Sequence, residues 1–211
     1  MNNPDNMTLN NPFLDQKKKE QERQAKRDAV LLAAVKIFNE QGFHSTSLDE
    51  VAQSLGISKP TIYYYLGNKE QVLFTCVKIG LQQLIEAAQD VEQQSISGFD
   101  KLRRFLFLYG CRNLDDFGRC VILTSDDAPS KEGVAKFKAL KRLVHQALLR
   151  IIQDAQADQS ISLEHDPKIL AATLAGAINW SAKWYDPKGA LTKEDTIQKM
   201  VNILTYGFEK K

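Results

Sequence analysis

The stretch SKPTIYYYLGNK, residues 58–69, sets Tyr63, Tyr64 and Tyr65 side by side. Neighbouring positions on an α-helix are about 100° apart, so three adjacent rings fan over roughly 200° of the cylinder and cannot share one buried stripe. Pro60 suits a first helical turn, where its missing N–H has no intrahelical partner. Ile62 and Leu66, spaced i and i+4, supply the inward anchor, which leaves Lys59, Pro60, Thr61, Tyr63 and Tyr64 outward and Tyr65 on the flank. Rings turned toward water in this way need something to touch.

The flanking residues place this short helix. Upstream, SLDEVAQSLG has Ser47 and Glu50 at capping-box spacing, Leu48, Val51, Ala52 and Leu55 on the inward face, and Gly56 as the stop. Before it, helical periodicity begins near Ala25 and runs through Val30, Ala34, Ile37 and Phe38 to Gly42. Downstream, Asn68 caps a fourth helix with Gln71 at the capping-box position, and apolar residues continue through Val72, Leu73, Val77, Leu81, Leu84 and Ile85 to about Glu92. Two helices joined by a tight turn around a glycine, the second short and polar outside, form a helix-turn-helix. The second helix of that motif enters the DNA major groove, about 12 Å wide. Tyrosine hydroxyls can then bond phosphate or base acceptors while the rings touch sugars and thymine methyls.

The remaining chain reads as helical throughout. Helices are expected near residues 99–112, 114–124, 131–157, 167–185 and 193–208, with breaks at SISG, DDAPS, QADQSISLEHDP and DPKGALT. The expectation is an all-α protein of about nine helices, divided into a flexible basic arm (1–24), a three-helix DNA-binding unit (25–71) and a larger C-terminal domain (72–211). At 211 residues and 43% hydrophobic, the chain can bury a core without staples. Three scattered cysteines, Cys76, Cys111 and Cys120, make neither a disulfide framework nor a zinc spacing and suit a reducing cytoplasm. No apolar run spans a bilayer, so a cytoplasmic protein without a membrane partner is expected.

Net charge is only +2, but its placement is uneven. The run QKKKEQERQAKR, residues 16–27, holds six of the 28 basic and two of the 26 acidic side chains, which leaves the remainder slightly acidic. Such a run is either a solvated tail or an arm that lies along phosphates. Enzyme chemistry finds no constellation: His44, His145 and His165 are far apart, and no H-E-x-x-H, G-x-S-x-G, P-loop or G-x-G-x-x-G after a strand occurs. No catalytic residue, cofactor or metal is expected. A redox-responsive regulator and a helical adaptor that has lost DNA binding are the competing readings, the second resting on Gly67 alone.

The segments RDAVLLAAVKIFNEQGF and TSLDEVAQSLGISKPTIYYYLGNKEQVL, about residues 27–77, resemble the tetracycline-repressor (TetR) family of bacterial transcriptional regulators. Three positions depart from the family pattern: Leu66 for the usual phenylalanine, Gly67 for proline or a polar residue, and the apolar Leu32. The resemblance implies that Thr46 and Ser47 touch phosphate, that Lys59, Pro60, Thr61, Tyr63, Tyr64 and Tyr65 face the groove, and that Lys69 binds phosphate. It implies an all-helical homodimer on a palindromic double-stranded DNA operator, with a small-molecule effector in the C-terminal domain, acting as a ligand-released repressor. The ending INWSAKWYDPKGALTKEDTIQKMVNILTYGF is similar to a subset of the family with N-W-x-x-x-W-Y-x-P-x-G, several of which answer to acyl-CoA or fatty-acid-like effectors.

Expected effector contacts are Phe105, Leu108, Tyr109 and Arg112, Phe137 and Val144, and Trp180 and Trp184, though an aromatic stripe at helical spacing serves equally as plain core. Arg112 on a mostly apolar helix asks for an anionic ligand or an acid partner, with Asp126 and Asp127 as candidates. The small residues of ILAATLAGAINW let helix backbones approach closely, and the dimer seam is expected at Ala171, Ala175, Ile178 and Ile203.

Overall fold

The computed structural model describes residues 12–124 and 131–207, with side chains omitted at 12–15 and 131. Within these limits there are nine helices: α1 (Pro12–Gln41), α2 (Leu48–Ser54), α3 (Lys59–Leu66), α4 (Lys69–Glu92), α5 (Gly98–Leu114), α6 (Asp116–Leu123), α7 (Lys131–Ala157), α8 (Pro167–Trp184) and α9 (Lys193–Tyr206). The bounds match expectation to within two residues except at the first helix. There the basic run is not a flexible arm but the first half of a 30-residue helix, about 45 Å long. Lys, Glu, Gln and Arg are good helix formers, and no glycine or proline interrupts residues 13–41, so the helix needs no apolar stripe to continue toward its N-terminus. The first 11 residues lie outside the described part.

Local signals fix the DNA-head geometry. Both expected capping boxes form: Ser47 accepts from the Glu50 N–H while the Glu50 carboxylate accepts from the Ser47 N–H, and Asn68 and Gln71 do the same at α4. Each such cap contributes about 0.5–2 kcal/mol. Ile62 and Leu66 are buried beside Leu31, Ala34, Val35 and Phe38 of α1 and Leu48 and Val51 of α2, in one continuous core with α4. Gly67, the departure that suggested a loosened link, closes α3 at φ +71° with its N–H donated to the Tyr63 carbonyl at 2.9 Å. An added Cβ would run into the Gln71 carboxamide that caps α4. Glycine therefore tightens this link.

The C-terminal part is wound around α5, which touches α4, α6, α7, α8 and α9. Glycines permit the closest approaches: Gly98 lies on the α7 backbone at Ala155, and Gly110 lies under Ile197 of α9. Two connections join head to body. One is α4, which packs on α1 and α3 at one end and on α5, α6 and α7 beyond; the other is the α1–α6 contact, where the Asn39 carboxamide donates to the Asp116 carbonyl at 2.8 Å. The expected division between residues 71 and 72 falls inside α4, so both units share that helix.

Replacing Gly67 with alanine forces a left-handed backbone on a residue with a Cβ and disturbs the Asn68–Gln71 box. A loss of about 1–2 kcal/mol is expected. Urea unfolding should show a lower midpoint at unchanged slope.

Candidate nucleic-acid interface and ligand cavity

On α3, Tyr64 is 68% exposed and Tyr63 43%, while Tyr65 is half-buried against the core, as the Ile62–Leu66 anchor requires. The Tyr64 and Tyr65 rings meet edge to face at 5.1 Å. Lys59 extends along this surface to Asp49 of α2, Nζ to Oδ2 at 2.8 Å, an exposed pair whose hydrogen bond and charge raise the lysine pKa. The Thr61 hydroxyl lies 2.8 Å from that of Ser58, and Pro60 is exposed in the first turn. The polar extension of α1 reaches the same surface: the Arg23 guanidinium sits 5.9 Å over the Tyr64 ring.

Lys69 opens α4 with its ammonium donating to the His44 carbonyl at 3.2 Å and lying 4.4 Å from the Phe43 ring centre. Partial burial lowers its pKa, with Glu50 opposing. An anion arriving there would restore what desolvation removes. Ser47 is exposed, with its hydroxyl engaged as the N-cap of α2. Thr46 departs from expectation as a phosphate contact: it is buried, and its hydroxyl donates to the Gly42 carbonyl at 2.9 Å, so its side chain shapes the turn instead. The surface thus combines exposed phenols, cations and a helix N-terminus, groups that bind phosphate and base edges.

A second feature lies in the body. A cavity of about 340 Å³, open on one side, is lined by α4, α5, α6, α7 and α8. Its walls are Leu81 and Leu84, Val121 and Ile122, Val144 and Leu148, with Ala175 on α8. Polar groups also line it: Tyr109 and Asn113 from α5, Asn179 from α8, and Lys141 with His145, one turn apart on α7. Of the expected effector residues only Tyr109 and Val144 line this space. Phe105 is core, stacked behind Tyr109 at 5.7 Å, and Leu108 is half-buried outside the lining. Phe137 stacks on Phe74 at 5.7 Å beside a separate cleft at the start of α4.

The other expected residues lie elsewhere. Arg112 finds an acid partner, Asp115 at 3.5 Å, at the surface rather than in the cavity, while Asp126 and Asp127 lie outside the described residues. Trp180 and Trp184 point away from the cavity, 64% and 47% exposed. At the expected seam, Ala171 and Ile178 are buried within the subunit, Ala175 faces the cavity, and only Ile203 is open to solvent. A helix with apolar residues on both faces does not declare which face is internal. Asn113, Asn179, Lys141 and His145 were missed, and the available signal was a polar residue one turn from a buried aromatic, as Asn113 is from Tyr109.

Burial pushes the Cys120 and Cys111 thiols up to about 11 and raises that of Cys76, beside Cys120, well above its ordinary value. Among the described residues no group of His, Cys, Asp and Glu could hold a metal, and no helix is long and apolar enough to cross a membrane.

Known proteins resemble the chain in both its head and its body. Residues 30–76 match the family model "Bacterial regulatory proteins, tetR family", and residues 95–208 match "Tetracyclin repressor-like, C-terminal domain". The HTH-type transcriptional repressor KstR2 of Mycolicibacterium smegmatis is 23% identical over 186 residues, covering 87% of this chain and 90% of its own. The TetR-family regulator PfmR of Thermus thermophilus superposes with a TM-score of 0.76 at 24% identity, over 86% of this chain and 99% of that one. AibR, solved with isovaleryl coenzyme A and operator DNA, gives 0.74 at 25% identity, over 86% and 99%.

Because the folded chain holds its thiol protons more tightly than the unfolded chain, their contribution to stability is full below about pH 9 and lost as pH rises through about 11. Iodoacetamide at neutral pH should label half-buried Cys111 slowly, leave Cys76 and Cys120 untouched, and label all three after unfolding. Mass spectrometry of the digest reads this directly.

Proposed function

Since the chain belongs to the tetR family of bacterial regulatory proteins, and is thus a DNA-binding transcriptional regulator, we propose that it works as a homodimeric, ligand-released repressor on a palindromic operator. The observation that carries this reading is the outward face of α3, held by Ile62 and Leu66, with Tyr63 and Tyr64 exposed and Lys59 and Lys69 on either side. Tyr63, Tyr64 and Thr61 read the groove; Ser47, Lys59 and Lys69 hold phosphates. Lys59 must exchange Asp49 for phosphate to do so, a small cost for an exposed pair. The helical extension of α1, anchored to Tyr64 through Arg23, brings its net positive charge to the same duplex. It adds affinity without sequence preference.

Dimerisation uses the outer face of α8 and α9. Ile169, Trp180 and Trp184 are exposed on one side of α8, with Ile203 and Tyr206 of α9 also exposed. Open space surrounds Gly176 on this face, which lets a second helix approach closely. An exposed apolar patch of this kind marks an interface. The two heads then meet successive major grooves about 34–36 Å apart.

The cavity holds the effector, and α4 carries the signal, because Leu81 and Leu84 form its wall while the same helix packs on α1 and α3. A ligand that prefers the DNA-incompetent state roughly 100-fold shifts the equilibrium by about 2.7 kcal/mol per site. The acyl-CoA or fatty-acid-like class is supported by the resemblance to AibR, whose structure contains isovaleryl coenzyme A.

Gel shift on DNA upstream of the gene tests the core of the reading. Tyr64→Ala should weaken specific binding by about 1–3 kcal/mol with helical content and dimer mass unchanged; undiminished affinity would contradict the orientation given to α3. Trp180→Glu should convert the protein to monomer in analytical ultracentrifugation and abolish operator binding at concentrations where the parent is bound.

A further inference from the structure

Asn113 is an anomaly in the body of the protein. It is fully buried on α5, lines the cavity, and donates from Nδ2 to Oδ1 of Asn179 on α8 at 2.8 Å, while its own Oδ1 has no partner. A buried carboxamide is retained against its desolvation cost only where hydrogen bonds compensate. Exchanging oxygen and nitrogen in both carboxamides together keeps the bond and leaves the argument intact, since the open acceptor of Asn113 is then replaced by an open donor. The Tyr109 phenol, its pKa raised by burial with the two carboxamides opposing, makes no hydrogen bond to the open oxygen of Asn113.

The remaining polar groups are placed differently. Lys141 and His145 line the same cavity from α7, partly and largely exposed, and neither has an ion-pair partner among the described residues. Leu81, Leu84, Val144 and Leu148 supply apolar lining. A polar pair anchored on buried Asn113, an apolar lining and a cation on half-buried Lys141 describe the ligand in negative. A hydroxyl fits the Asn113 end best, because it is donor and acceptor at once and serves the open atom of Asn113 in either amide orientation.

We propose that the cavity selects an apolar chain carrying a hydroxyl, held by Asn113 and Asn179, and an anionic group, held by Lys141. This rests on the effector reading above and narrows it. The anion comes either from a free carboxylate or from the phosphates of a coenzyme A thioester, and a cavity of about 340 Å³ encloses the chain in both cases.

Isothermal calorimetry on the full chain without DNA compares decanoate with ω-hydroxydecanoate, and decanoyl-CoA with ω-hydroxydecanoyl-CoA. In at least one pair the hydroxylated member should bind tenfold or more tightly, and the pair that shows it identifies the source of the anion. Asn179→Leu should abolish that preference while binding of the plain chain persists. Asn113→Leu should do the same, and circular dichroism confirms that each variant is folded. Lys141→Gln should weaken both members of the pair equally. Equal affinity within both pairs, or a preference that survives both asparagine replacements, overturns the proposal. The operator gel shift is independent of this result. Specific DNA binding without hydroxyl preference sinks the inference alone, and hydroxyl preference without DNA binding sinks the regulator reading alone.

Discussion

Val72, Leu73 and Val77 at the start of α4 are buried with the helix-turn-helix, and Leu81, Leu84, Ala88 and Val91 further along the same helix are buried in the body. A helix transmits displacement along its axis because its backbone hydrogen bonds resist bending, so residues that wall a cavity and residues that brace a DNA head cannot move independently when they share one. The packing around both ends makes this a constraint of the whole chain. In the proposed regulator, a ligand that pushes on Leu81 or Leu84 would push on the base of α3, and a duplex that fixes α3 would limit what the cavity can hold. Coupling of this kind is reciprocal by thermodynamic necessity.

The same economy governs the surface charges. Lys59 and Lys69 flank α3, but each is already placed by a neighbour: one by Asp49, the other by the His44 carbonyl and the Phe43 ring. Long flexible side chains lose rotamer freedom when they bind. Here some of that loss is incurred during folding, which would lower the entropic cost of the phosphate contacts proposed for them. Thr46 illustrates the complementary principle, as its buried hydroxyl fixes the turn that aims Ser47 and α2.

The head was legible in the sequence because each of its decisions is local. Capping boxes, the Pro60 start and the i, i+4 anchor of Ile62 and Leu66 all act within one or two turns, and the structure forms each of them. The extent of α1 was not legible, since apolar periodicity is silent where the helix is exposed throughout residues 16–26. The body failed differently. On α8, Ala171 and Ile178 face inward while Trp180 and Trp184 face out, yet both sets are apolar with helical spacing. Only the arrangement of the other helices decides between them. Asn113 and Asn179 are 66 residues apart and meet solely because α5 and α8 cross, a fact with no local signature.

The two tryptophans of this chain both lie on the outer face of α8, away from α3 and from the cavity. Their indoles are therefore natural optical reporters of one event only. In the proposed dimer, intrinsic emission should shift to the blue as subunits associate and water leaves the rings, and remain nearly silent when a small molecule enters or when a duplex docks. The chain would then carry its own spectroscopic gauge of assembly, separate from ligand and DNA binding.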